Sequence, residues 1–196
     1  MRNNGNLFFS SDHHFYHDNV INFCNRPFKN VQHMNEELIK RHNSRVREQD
    51  TCVFVGDFSF ANSEKTKAVL DAMNGTKVLI QGNHDKKSTV NKFDVAFMEA
   101  RITIAGYPVT IKHYPLKWPK FSHLKERFVR FINNVPDPRY LDRHPVDEGQ
   151  LHIHGHTHSK EKFRGNQIHV GVDAWDYYPV SLKEISKYIQ QFKGKV

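Results

Sequence analysis

Three short apolar runs mark the first half of the chain, "NLFFSS" (6–11), "TCVFV" (51–55) and "TKVLI" (76–80), each of the length and density of a buried strand. Between them the spacing changes. Val31, Met34, Leu38 and Val46 recur on one face of the segment 31–47, which predicts a helix. The segment 62–75 opens on capping residues and closes on Asn74-Gly75, which predicts a second helix with a sharp stop. Further on, 101–113 reads as a hairpin turning at Gly106 and delivering His113 at its end. Residues 114–150 lose any clean period and read as an excursion from the sheet. Strand character resumes at "QLHIHGHTH" (150–158), a second hairpin turns at Gly165-Asn166, and "SLKEISKYIQQF" forms a final helix with Ser181 and Glu184 as its capping box. Strands alternating with helices predict an α/β fold with its working loops at strand ends.

At 196 residues the chain favours one domain, taken as 1–196 with an insertion or lid at about 114–150. Its 38% apolar and 26% charged residues suit a globular protein and exclude a disordered one. No apolar run is long enough to cross a bilayer and the N-terminus lacks a signal-peptide layout, so a cytoplasmic location and no membrane partner are expected. The two cysteines, Cys24 and Cys52, form no CxxC and read as buried apolar fillers. A formal net charge of +8 favours anionic, phosphate-bearing partners. Fourteen histidines call for a chemical explanation.

The strand ends supply one. They carry Asp12 and His14; Asp57; Asn83, His84 and Asp85; His113; and His156 and His158. Every donor is oxygen or imidazole. A pair of divalent cations about 3.5–4 Å apart needs a bridging carboxylate plus several N/O ligands on each side, and such a pair can clamp a phosphoryl group. The i, i+2 spacing of Asp12/His14 and His156/His158 lets both members face one way. Gly56, Gly82 and Gly155 precede ligands and permit sharp turns. Taken singly, Asp12 reads better as a turn residue and Asp57 or Asp85 as a helix cap. Caps do not explain five histidines and an asparagine arriving with them.

The ordered set Asp12-x-His14, Gly56-Asp57, Gly82-Asn83-His84-Asp85, His113 and Gly155-His156-Thr157-His158 resembles the calcineurin-like metallophosphoesterase superfamily. "CNRPF", "HNSRV", "GDF" and "VGVDAWDYYPVSL" are similar to its compact bacterial and phage-type members. The resemblance covers about 7–113 and 150–183. It implies a double β-sheet sandwich flanked by helices, with two metal ions in loops along one edge. By that similarity Asp12, His14 and His158 hold the first ion, Asp57 bridges, and Asn83, His113 and His156 hold the second. Manganese is favoured, with iron, zinc or nickel as alternatives. His84 is implied as the acid acting on the phosphate ester, with Asp85 fixing its tautomer, and the nucleophile is water or hydroxide on the metals.

The implied activity is hydrolysis of a phosphodiester or phosphomonoester, with a nucleotide or nucleic-acid end preferred because the chain is basic and the insertion aromatic. A nuclease on DNA or RNA is the nucleic-acid alternative, and a non-catalytic scaffold on the same fold is the binding one. His17, Lys117 and Trp118 are the candidate substrate contacts, the last two in a stretch of interleaved basic and aromatic residues. His13 is expected to be solvated, and His152 and His154, which share one strand face, read as satisfied structural residues, with support of the site from behind as the alternative. "GDFSF" departs from relatives that place another acidic or polar residue soon after Gly-Asp, and the insertion has no counterpart, so substrate choice does not follow from the resemblance.

Overall fold

Successive residues on the first strands face opposite ways and so feed two cores. In the computed structural model, which describes residues 5–117 and 144–194, β1 (Leu7–Ser10), β2 (Thr51–Phe54), β3 (Thr76–Ile80) and β4 (Val95–Phe97) run parallel. The short strand β10 (Val180–Ser181) adds antiparallel to β1 at the edge, giving the order β10-β1-β2-β3-β4. Phe8, Cys52, Phe54 and Leu79 pack outward onto Met34 and Leu38 of α2 (Val31–Arg45) and Val69 and Leu70 of α3 (Ser63–Ala72). Their neighbours Phe9, Val53, Val55 and Ile80 pack inward against the second sheet.

That second sheet has the order β5-β6-β7-β9-β8. The hairpin β5 (Ala100–Ile104) and β6 (Tyr107–Ile111) is antiparallel, β7 (Leu151–His154) and β9 (Gln167–His169) continue parallel, and β8 (Phe163–Arg164) closes the edge antiparallel to β9. Both hairpin turns fall where the sequence puts them. Val109, Ile111, Ile153 and Ile168 meet the inner face of the first sheet, with Ile185 and Ile189 of the last helix. Two mixed sheets flanked by helices thus form the sandwich that the resemblance implied. Helices α1 (Asn19–Phe23) and α4 (Lys87–Val90) follow the first and third strand-end loops.

The caps match their sequence signals. Asn30 and Asn62 accept from the backbone N–H three residues on, at the starts of α2 and α3. Ser181 and Glu184 form a reciprocal capping box at the start of α5 (Leu182–Lys193). The two ends of the insertion meet in a parallel bridge between Lys117 and Val146. Trp118 and most of the basic and aromatic stretch lie outside the described residues. No helix among those described is long and apolar enough to cross a membrane.

Two buried histidines behind the sheets are held neutral. Burial pushes His42 down to about 4 even though its ring shares a hydrogen bond with the Asn74 carbonyl. Its Nδ1 is buried without a partner, so protonation would add an unsatisfied donor. Burial likewise holds His152 at about 4 between Thr110 and the Tyr114 carbonyl. A histidine whose folded pKa lies below its unfolded value near 6.5 stabilises the fold above that value and ceases to do so as pH falls through about 4. Each contributes up to about 3 kcal/mol. Urea unfolding followed across this range should show stability falling from pH 6.5 to 4, and His42→Gln should flatten that dependence relative to the parent.

Candidate metal centre

The first two strand-end loops are stitched to one another through their backbones. Asp12 N–H donates to Gly56 O at 3.0 Å, His14 N–H to Asp57 O at 3.1 Å and Phe15 N–H to Phe58 O at 3.0 Å. From the other sheet, Gly155 N–H donates to His113 O and Val172 N–H to Ser11 O. Edges of the two sheets are therefore joined where the polar residues converge.

Two donor groups result. Asp12, His14 and His158 place one ligand atom each within 4.8 Å of one another, and so do Asp57, His113 and His156. Asp57 touches both. Its Oδ2 lies 3.3 Å from His113 Nε2 and 3.7 Å from His14 Nε2, and its Oδ1 accepts the His84 N–H at 2.9 Å. Asn83 Oδ1 sits 3.0 Å from His113 Nε2, and His156 Nδ1 sits 3.2 Å from the same atom. The His156 N–H crosses to the Asp12 carboxylate, at 3.0 and 2.9 Å to its two oxygens.

Several features fit these donors to cations. His14 Nε2 is buried and lacks a hydrogen-bond partner, and burial holds the ring neutral, so its lone pair is free to ligate. Among the described residues, ten that are not glycine have positive φ, and five of them are Asp12, His14, Asp57, His156 and His158. Each such position costs on the order of 1 kcal/mol, and the strain collects on the donors. At Gly56, φ of +88° provides the expected sharp turn. Gly155 has no such torsion; a Cβ there would collide with Ser11 Oγ and crowd the Asp12 carboxylate, so the glycine makes room for a ligand.

The electrostatics agree. Burial alone would raise Asp57, but the neighbouring His113 and His14 rings and the His84 N–H keep it well below the usual carboxylate range. Burial would lower His113, yet the Asp57 carboxylate lifts it to about 9. His158, also disfavoured by burial, is lifted to about 10 by its hydrogen bond to Asp173. Without metal, protons occupy the positions that cations would neutralise.

Three expectations need correction. Asp85 does not orient His84. Its Oδ1 accepts the Phe58 N–H and its Oδ2 accepts those of Asp57 and Gly82, so the side chain ties the second loop to the third. Burial raises its carboxyl, against the pull of those amides. The exposed His84 ring instead packs against Phe60 and His14 at the rim. His13 is not solvated: it is 3% exposed, stacked on Phe15 and within 3.2 Å of Ser10 Oγ. Cys24 is only half-buried and lies beside His158 and Asp173.

The candidate substrate contacts divide. His17 Nδ1 lies 3.3 Å from His14 Nδ1, and its ring stacks on Phe60 with centroids 4.1 Å apart. Lys117 sits at the root of the insertion, bridged to Val146. His152 and His154 are buried behind the site, each with a hydrogen bond to a backbone carbonyl.

The chain is 35% identical to the uncharacterized protein MJ1445 of Methanocaldococcus jannaschii over 192 residues, covering 97% of this chain and 93% of that protein. The chain belongs to the family of MJ1445. It is also 29% identical to the Gene 66 protein of Mycobacterium phage L5 over 191 residues, 87% of each. Among solved structures, the protein of unknown function AQ665 from Aquifex aeolicus superposes with a TM-score of 0.68 at 29% identity, covering 94% of this chain and all of that one. No family model matches the chain.

Loading the centre must displace protons, because His113 and His158 carry them at neutral pH. Metal affinity should therefore rise with pH until about 9–10. Calorimetric titration of manganese or zinc at pH 7, in buffers of different ionisation enthalpy, should record proton release on the order of two per chain. A buffer-independent heat would contradict this protonation scheme.

Proposed function

We propose that the protein is a metal-dependent phosphoesterase of the calcineurin-like type, using two divalent ions to hydrolyse a phosphodiester or phosphomonoester. The observation that carries this reading is the placement of Asp57 Oδ2 within 3.7 Å of His14 Nε2 and 3.3 Å of His113 Nε2, one atom facing a member of each donor group. Asp12, His14 and His158 would hold one ion, Asn83, His113 and His156 the other, and Asp57 would contact both. When bound, such a pair supplies charge for the phosphoryl oxygens and acidifies the attacking water.

The chain's own residues supply the rest. The His84 N–H fixes Asp57 Oδ1, leaving Oδ2 for the space between the groups. The His84 ring stands exposed at the rim, where it can give a proton to a departing ester oxygen. The Asp85 carboxylate anchors the loops that carry Asp57 and Asn83, which makes it a positioning residue. A nucleotide or nucleic-acid end is the preferred substrate, because the net charge of +8 attracts phosphate-bearing ligands. Manganese is the favoured ion, and a cytoplasmic setting suits such a substrate. The same charge favours a nuclease as the second reading. Steeply salt-dependent binding to oligonucleotides would distinguish that activity from action on a small ester.

The test is metal-free protein reloaded with manganese, zinc, nickel or magnesium and offered a chromogenic monoester, a diester, cyclic nucleotides and labelled oligonucleotides. Asp57→Ala should lose turnover together with bound metal. His84→Ala should keep its metal and lose about a hundred- to ten-thousand-fold in rate. A His84→Ala variant as fast as the parent on every substrate cleaved would remove the acid role. A parent that binds metal yet cleaves none of these substrates would favour the scaffold reading.

A further inference from the structure

Arg26 and Asp173 are 147 residues apart, and neither side chain is exposed to solvent. Asp173 Oδ1 accepts from Arg26 Nε at 2.9 Å and Oδ2 accepts from Arg26 Nη2 at 2.8 Å, a two-pronged pair. The arginine then reaches onward. Nη2 also donates to the Asp12 carbonyl at 2.7 Å, while Nη1 donates to the His13 carbonyl at 2.9 Å and to Met34 Sδ at 3.5 Å. All five guanidinium N–H groups find acceptors, a demand that lysine with three donors cannot meet. On the other side, Asp173 Oδ2 lies 2.8 Å from His158 Nδ1.

Taking an ion pair out of water is expensive, and an apolar pair of similar volume often serves stability as well. What this pair adds is position. Its arginine fixes the backbone of Asp12 and its carboxylate fixes the ring of His158, two of the three donors of one group. With Nδ1 committed to Asp173, Nε2 is the His158 nitrogen left for an ion. His113 follows the same pattern, since its Nδ1 faces the Val55 carbonyl at 2.8 Å and leaves Nε2 toward Asp57. Cys24 shares the neighbourhood of His158 and Asp173, but both Asp173 oxygens are already taken by Arg26.

We propose that the buried Arg26–Asp173 pair is the positioning device for the Asp12/His14/His158 metal site, setting the His158 tautomer and the Asp12 backbone together. This rests on the two-metal reading above. The experiment measures metal stoichiometry and affinity by calorimetry with zinc or manganese, alongside a thermal melt for each variant. The parent should bind two equivalents. Arg26→Lys and Asp173→Asn should retain one with parental affinity and bind the other about 10- to 100-fold more weakly. Because Asp173→Asn strands the buried guanidinium and Arg26→Lys leaves acceptors unmet, the double variant Arg26→Met/Asp173→Leu is included as a neutral replacement, and the same single-site loss is expected of it.

A measurement on the unaltered chain needs no variant. Nitrogen-15 spectra of the zinc-loaded parent should show His158 with its proton on Nδ1 and its metal on Nε2. A cooperatively melting double variant with two equivalents at parental affinity would overturn the proposal, as would zinc on Nδ1. A parent that binds no divalent ion would end the two-metal reading itself, and this inference with it. Two equivalents at parental affinity in parent and variants alike would end only the inference.

Discussion

A carboxylate removed from water must be met by positive charge or by N–H groups, and among the described residues four are buried in one neighbourhood, Asp85 together with Asp12, Asp57 and Asp173. Asp12, Asp57 and Asp173 are each 3% exposed or less. Each is satisfied differently. Asp57 faces two imidazoles and the His84 amide, Asp12 takes the His156 amide, and Asp173 takes the Arg26 fork and the His158 ring. Left alone, a buried carboxylate would disrupt the fold. The partners come from both sheets, so the demand for compensation and the assembly of the sandwich are one event.

The same convergence has a price in backbone strain. Left-handed torsions on Asp12, His14, Asp57, His156 and His158 work against folding, since positive φ favours glycine. The two cores offset this, because alternate residues of the inner strands serve both at once: Phe8 with Phe9, Cys52 with Val53, Leu79 with Ile80. Strain is tolerated at strand ends because the strands behind them are buried on both faces. A centre built of N and O donors on such rigid supports is suited to holding cations in a fixed relation, which phosphoryl chemistry requires.

Much of the architecture was legible along the chain. The strand at 76–80 has the ends that its apolar run implies, and the helix caps at Asn30, Asn62 and Ser181 follow from their side chains. These are local properties. The roles of Asp85, His13 and Cys24 were misjudged because each depends on what lies across the fold. Asp85 follows His84 in sequence, yet its oxygens meet amides of the Asp57 loop. His13 sits between two residues of a polar motif, but its ring turns onto Phe15, Phe54 and Phe58. The motifs "CNRPF" and "VGVDAWDYYPVSL" carry Arg26 and Asp173, and nothing local indicates that they pair.

The sequence by itself determined the strands, the helices, the donor types and their order, because periodicity, capping and side-chain chemistry act over a few residues. Only the tertiary structure decided which donors share a group, which nitrogen of each histidine is left free, and which buried charges pair beside the donors. Those relations join residues up to 147 positions apart, and they exist only once both sheets have closed on one another.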